Sequence, residues 1–328
     1  MVTMKEIARL ANVSSATVSR VLNNSGYVSD DVRKRILKII DETGYIPSEH
    51  AKALRTKQSN VIGVILPKLS TETASRLVNG ISEELAEHGY QILLTNTNLD
   101  PKKEIEYLKL LKSKQVDGII LLATNRGEEL QDEIKKLRIP FVATGQELQG
   151  VPSVINNNFQ AAKDITQLLI DKGHQKVAFI GVDEADYEVG YKRKAGYLDA
   201  LEENAIDVVD QWIQKGEFSI ESGYQMAKEV FEQSSEKPTA IVAVTDRLAI
   251  GAMEYLKEQG LHIPNDVAIT GMGASDLSKY VVPTLTTVDL LSEYTGAEAA
   301  KTLLQILQEG TSSEKKQIDY RLIIRDSI

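Results

Sequence analysis

The sequence contains no cysteine in its 328 residues. That excludes disulfides, thiolate metal sites and cysteine nucleophiles together. Aromatic residues amount to 5% and include a single tryptophan, so a site that grips its ligand mainly by ring stacking has little to build with. No apolar run approaches the ~18 residues of a membrane span, and the N-terminus lacks the apolar core of a secretory signal. A cytoplasmic, nucleoid-associated protein without a membrane partner is expected. The four histidines, His50, His88, His174 and His262, are scattered and read better as surface or loop residues than as ligands. The phosphate-cradling G-x-x-x-x-G-K-[ST], the nucleophile elbow G-x-S-x-G and the zinc pattern H-E-x-x-H are all missing. After Gly271-x-Gly273, Asp276 stands where a dinucleotide loop would need its third glycine. No catalytic residue, metal site or cofactor is expected.

The residues present describe an ordinary globular chain, 42% hydrophobic and 26% charged, long enough for two or three domains. Its net charge of −9 is unevenly spread. Residues 1–60 hold 10 Lys+Arg against 6 Asp+Glu, a net of +4, and the remainder carries −13. A basic head attracts phosphates while an acidic body is repelled from a duplex, so the division suits a DNA binder that presents only its head. A merely solvated basic surface has the same composition.

The head carries the informative motif. Ile7, Leu10 and Ala11 fall at helical spacing, Asn12-Val13-Ser14 makes a tight turn in which Ser14 can cap, and the segment 14–23 places apolar residues on one side. Two short helices joined this way form a helix-turn-helix or a plain helical hairpin. In a helix-turn-helix the second helix enters the major groove. Val13, Val18, Val21 and Leu22 are then core, and Ser15, Ala16 and Arg20 face DNA. A third helix begins at Ser29 as a plausible cap, buries Val32, Ile36, Ile39 and Ile40, and stops at Gly44. Pro47 breaks the pattern, Ser48 can cap a further short helix over 49–54, and a polar linker runs to Asn60.

From Val61 the texture changes to short apolar strands alternating with amphipathic helices, which specifies parallel sheets covered on both faces. Strands are expected at 61–66, 90–94, 118–122 and 141–143, with helices over 74–88, 101–114 and 128–137. A second series has helices over 159–171, 191–202, 220–231 and 248–259, with strands at 177–180, 240–244 and 267–270. The expected fold is an all-α helix-turn-helix head plus an α/β core of two lobes with parallel sheets. The pattern divides the chain into a head, 1–46, a short helix and linker, 47–60, and a two-lobed domain, 61–328. Ligands of such sheets bind beyond the carboxyl ends of the strands. The loops there, around Lys68, Asn98, Asn125, Gln146, Asp183 to Arg193, Asp246 and Ser275, carry hydroxyls, amides and a few charges suited to a polyhydroxylated ligand. Asp246 and Ser275 also read as helix caps, and Asn98 as a turn residue. Trp212 is either a ring platform or packing.

With both halves in view the chain resembles the lactose-repressor/galactose-repressor (LacI/GalR) family over essentially its whole length. The resemblance is carried by Ile7-Ala8 with Val13-Ser14, Thr17-Val18-Ser19-Arg20-Val21-Leu22-Asn23, Tyr45-Ile46-Pro47 with Ala51 and Leu54, Val116-Asp117-Gly118-Ile119-Ile120, Thr245-Asp246-Arg247-Leu248-Ala249-Ile250-Gly251, and Pro283-Thr284-Leu285-Thr286-Thr287-Val288. It implies a dimeric repressor on a palindromic operator, with a body like the periplasmic sugar-binding proteins. The dimer surface is expected near 74–85 and 278–283. The resemblance further implies base contacts from Ser15, Ala16 and Arg20, phosphate or supporting contacts from Thr17 and Ser19, and a hinge helix in which Leu54 wedges into the minor groove and Lys52 meets phosphate. A buried leucine is the other reading of Leu54, although the charged linker after it leaves little core to enter. Ser48 and Lys52 stand where asparagine and arginine are usual. For the effector, a sugar or sugar phosphate, the resemblance points to Arg193 and Asp246, with Lys68, Gln146 and Ser275 beside them. Gly271-Met272-Gly273-Ala274 departs from the usual glycine-aromatic-aspartate run, which changes the pocket floor. Loops 66–69 and 190–194 look similar to those of sucrose- and trehalose-type repressors.

These readings predict a transcriptional repressor of a carbohydrate-utilisation operon, released by a small sugar or sugar phosphate. The rivals are a family member controlled by a phosphorylated carrier protein or a purine corepressor, and, remotely, a sugar-modifying enzyme with a DNA-binding head.

Overall fold

The computed structural model describes residues 2–45, 58–310 and 315–328. Lys52 and Leu54, with the expected hinge helix, lie outside the described residues. The chain divides into two compact units, Met1–Ser59 and Asn60–Ile328.

The first unit holds α1 (Met4–Leu10), α2 (Ser15–Leu22) and α3 (Asp30–Thr43). Thr3 and Glu6 close a reciprocal capping box on α1. Asn12, at φ +50°, turns the chain. Ser14 Oγ then accepts the Thr17 N–H at 3.1 Å, capping α2 as its position predicted. Ile7, Ala8, Ala11, Val18, Val21, Ile36 and Tyr45 fill the core, and the expected core residues Val13 and Leu22 are half-buried at its margin. Ser29 occupies the cap position of α3 as expected, in extended conformation, but its side chain makes no hydrogen bond to the helix. Asp30 and Asp31 in the first turn still complement the helix dipole, and Gly44 ends the helix in the left-handed region at φ +59°.

The second unit contains two six-stranded sheets, and the interior strands are apolar because both their faces are covered. Numbered in chain order, the first sheet holds β1 (Val61–Leu66), β2 (Gln91–Asn96), β3 (Gly118–Leu122), β4 (Phe141–Thr144), β5 (Ser153–Asn156) and β11 (Lys315–Ile318). Their spatial order is β11-β5-β4-β3-β1-β2, all parallel. The second sheet holds β6 (Val177–Gly181), β7 (Ile213–Lys215), β8 (Ala240–Ala243), β9 (Ala268–Met272), β10 (Thr286–Asp289) and β12 (Arg321–Ile323), in the order β12-β10-β9-β8-β6-β7. Here β12 alone runs antiparallel. Helices α4 (Glu72–Glu87), α5 (Pro101–Ser113), α6 (Glu128–Lys136) and the late α12 (Ser292–Glu309) cover the first sheet. Helices α7 (Asn158–Asp171), α8 (Arg193–Glu203), α9 (Ile220–Gln233) and α10 (Asp246–Glu258) cover the second, and the short α11 (Leu277–Tyr280) follows β9.

The lobes are interleaved rather than consecutive, which the alternation of strands and helices did not reveal. The chain leaves the first lobe after β5, returns through α12 and β11, and ends with β12 in the second. The returning strands are four residues or fewer, and Lys315-Lys316-Gln317-Ile318 has no apolar alternation to find. The crossings are tied together where Asn156 Nδ2 donates to the Leu290 carbonyl at 2.7 Å and to Thr295 Oγ1 at 3.2 Å.

Helices α4 and α12 approach closely because Gly80 and Gly296 face the partner backbone. A Cβ added at Gly80 would run into the Glu293 carbonyl, and one at Gly296 into the Leu77 carbonyl. Gly80→Ala is therefore expected to cost about 1–3 kcal/mol by overpacking, despite the better helix propensity of alanine, as a lowered urea midpoint at unchanged slope. An unchanged or raised midpoint would show that the helices yield freely.

Candidate DNA-reading helix and ligand cleft

On α2, Ala16 and Arg20 are exposed, Ser15, Thr17 and Ser19 are half-buried, and the opposite face carries the buried Val18 and Val21. Thr17 Oγ1 and Ser14 Oγ hydrogen-bond at 2.9 Å, and Ser19 Oγ accepts from Asn23 Nδ2 at 3.1 Å. These two side chains thus brace the helix ends. Ala16 and Arg20 remain free to meet an external surface.

Between the lobes of the second unit lies a cavity of about 490 Å³, at the carboxyl ends of both sheets. Lys68, Glu72, Thr124, Thr144 and Asn156 line it from the first lobe, and Asn158, Asp186, Glu188, Arg193, Phe218, Asp246 and Ser275 from the second. The structure thus brings Lys68, Arg193, Asp246 and Ser275 to one wall system. Gln146 is a correction. The chain turns at Gly145 (φ +80°), and Gln146 is 1% exposed, absent from the lining, with neither amide atom bonded within the protein. Trp212 is packing: it is buried and donates from Nε1 to the Glu236 carbonyl at 3.3 Å.

Arg193 owes its position to a segment whose geometry the sequence did not predict. Tyr187–Lys192 forms a π-helix running directly into α8, a bulge that recurs at functional sites. In so wide a coil, residues four and five apart share a face. Glu188 accordingly pairs with Lys192 at 2.8 Å and reaches Arg193 through Asn158. Asn158 Nδ2 donates to Glu188 Oε2 at 3.0 Å, and Arg193 Nε donates to Asn158 Oδ1 at 2.8 Å. Arg193 Nη1 donates to the Val244 carbonyl, and among the described residues Nη2 makes no hydrogen bond to the protein. Burial pushes the guanidinium pKa down to about 10, against the more distant Asp186, Glu188 and Asp246, which raise it. A planar donor edge left open in a cleft is suited to paired oxygens of a ligand.

Asp246 is the first residue of α10, and Thr245 is its cap. The carboxylate instead ties two loops together, accepting the Ser275 N–H at 2.6 Å on Oδ2 and the Thr287 hydroxyl on Oδ1. Burial raises its pKa, opposed by these bonds. Each oxygen keeps acceptor capacity for a ligand hydroxyl. Ser275 Oγ also accepts the Ser278 N–H at 3.3 Å, although Asp276 holds the cap position of the short helix Leu277–Tyr280, so Ser275 braces that turn beside its place in the lining.

Sequence reading missed Asn158, Glu188, Phe218 and Thr287. The run Asn156-Asn157-Asn158 was the available signal, since three amides ahead of a helix exceed what a single cap requires.

Two family models match this chain. One describes the periplasmic binding proteins and sugar-binding domain of the LacI family, over residues 59–326, and the other the bacterial regulatory proteins of the lacI family, over residues 3–48. This chain belongs to the LacI family of transcriptional regulators. Catabolite control protein A of Priestia megaterium is 36% identical over 99% of both chains. Among solved structures, a lac repressor dimer bound to operator and the anti-inducer ONPF superposes with a TM-score of 0.91 at 24% identity, covering 99% of this chain and 98% of that one. A complex of the regulator CelR with cellobiose gives 0.76 at 26% identity, covering 99% of each. The two-lobed fold, the helix-turn-helix head and a DNA-binding regulatory role rather than an enzymatic one are thereby established. Among the described residues, no helix is long and apolar enough to cross a membrane.

One buried group near the cleft sets a pH dependence. Glu104 on α5 is 0% exposed and accepts from the Thr124 N–H at 3.2 Å and hydroxyl at 3.1 Å. Burial nevertheless pushes its carboxyl up from 4.5 to about 7. The folded state holds a proton that the unfolded chain releases near 4.5, so this group's contribution to stability falls as pH rises from about 4.5 to 7 and levels off above. Glu104→Gln should remove a slope of up to about 1.4 kcal/mol per pH unit. In thermal melts, the loss of stability between pH 5.5 and 8 should therefore be smaller in the variant. An identical pH slope in both proteins would contradict the buried, protonated carboxyl.

Proposed function

We propose that the protein represses a carbohydrate-utilisation operon as a homodimer on a palindromic operator and is released by a small sugar or sugar phosphate bound in the cleft. The observation that carries this reading is the open edge of Arg193 facing Asp246, Ser275 and Lys68 in one cavity, a set of donors and acceptors matched to vicinal hydroxyls. The cellobiose bound by CelR supports a sugar. Phe218 is the one aromatic residue in the described lining, which gives a purine little to stack on. Ser15, Ala16 and Arg20 are assigned to base edges, Thr17 and Ser19 to phosphate or helix support, and Lys52 and Leu54 to the hinge and the minor groove. Dimerisation is supported by Tyr280 and Val282, 80% and 76% exposed in the segment expected to pair, and by the dimeric state named for the lac repressor.

Fluorescence anisotropy of labelled DNA from upstream of the gene's own operon, titrated with protein and a panel of disaccharides and their phosphates, tests the reading. Release by one sugar establishes the inducible repressor. Tight binding indifferent to every sugar would replace it with control by a phosphorylated carrier protein or a purine. In the same assay Arg193→Lys should leave operator affinity within about twofold, while the releasing sugar is needed at tenfold or higher concentration, because an ammonium cannot reproduce the fork. Unaltered release would remove Arg193 from the ligand site.

A further inference from the structure

The π-helix has a second face. Tyr187 and Tyr191 stack at 5.1 Å with their rings 10° apart, and Arg126 lies over the Tyr187 ring with its guanidinium carbon 4.2 Å from the centroid. Arg126 belongs to the first lobe, in the loop between β3 and α6, whereas Tyr187 opens the π-helix of the second. This contact therefore crosses the cleft, and neither residue lines the cavity. One residue further along, Glu188 holds Lys192 and Asn158, and Asn158 holds Arg193. Other polar contacts between the lobes, among them the Asp276 N–H to Glu72 at 2.9 and 3.0 Å, Arg247 to the Ser70 carbonyl at 3.4 Å, and Arg76 to the Gly273 carbonyl at 3.4 Å and to Asp276 at 3.6 Å, involve neither the π-helix nor Arg193.

We propose that Arg126 is a positioning residue for the ligand: by lying on Tyr187 it straps the first lobe to the π-helix, so that lobe closure and the orientation of Arg193 are one event. Its consequence for ligand binding rests on reading the cleft as the effector site. A half-exposed cation–π contact shifts a closure equilibrium by about two- to fivefold, enough to bias two lobe arrangements without locking either. The ring face, not the hydroxyl, makes the contact. Tyr187→Phe keeps the strap, and Tyr187→Leu and Arg126→Gln each remove it.

The absence of cysteine allows spin labels to be placed without background. Lys102→Cys on α5 and Glu221→Cys on α9 put two exposed labels on opposite lobes of the full chain, and double electron–electron resonance reads their separation. With Arg126→Gln or Tyr187→Leu the distribution should shift to longer distance or broaden. With Tyr187→Phe it should match the parent, and Tyr187→Phe and Arg126→Gln should unfold in urea at midpoints close to the parent's. In the same variants the Nε–H resonance of Arg193, assigned by its loss in Arg193→Lys, should move for Arg126→Gln and Tyr187→Leu and stay for Tyr187→Phe. Unchanged distances and an unchanged Arg193 resonance in Arg126→Gln would overturn the proposal, as would a Tyr187→Phe variant behaving like Tyr187→Leu. Neither measurement uses DNA or effector, so failure here leaves the repressor reading to its own test.

Discussion

A buried guanidinium with no carboxylate in ion-pair contact among the described residues is the constraint around which the cleft is arranged. Arg193 is 5% exposed, and its protein partners are neutral oxygens from Asn158 and Val244. Burying a charge on such terms is expensive unless its donors are met. Meeting them requires three elements to converge: the π-helix that delivers Arg193, the start of α7 that supplies Asn158, and the end of β8 that supplies the carbonyl. Asp246 solves a related problem nearby, spending its carboxylate on the Ser275 N–H and the Thr287 hydroxyl. Both side chains hold their own lobe together and keep capacity for a ligand.

Interleaving of the chain gives this cleft its mechanical meaning. Three crossings join the lobes, and Asn156 bonds two of them to each other. On the proposed reading a ligand reaching from Arg193 to Lys68 touches both lobes and so favours one lobe arrangement. Such a ligand shifts an equilibrium by its differential affinity and no more. No chemistry on the ligand is needed for it to act as a signal.

Much of the architecture was legible in the residues because its causes are local. Ser14 before an amphipathic segment, the continuous apolar runs of β1 and β6, and Gly44 after the last periodic residue each name an element and its end. The interleaving was hidden because β10, β11 and β12 are too short to carry a period. The π-helix was hidden because one added residue per turn leaves no mark in composition. At the site, Arg193 and Asp246 stood out as charges in loops beyond strand ends. Asn158 and Glu188 act through other side chains, and nothing short of their placement shows that. Gln146 misled because a polar residue after a strand was taken to face the cleft, while the turn at Gly145 carries it inside.

The central claim is that the cleft and the DNA-reading helix share one equilibrium, and linkage makes that claim quantitative. The direct measurement is titration calorimetry of the releasing sugar into the free protein and into the protein saturated with operator. The account predicts that operator lowers sugar affinity by the same factor by which sugar lowers operator affinity. Equal sugar affinity with and without operator would contradict it.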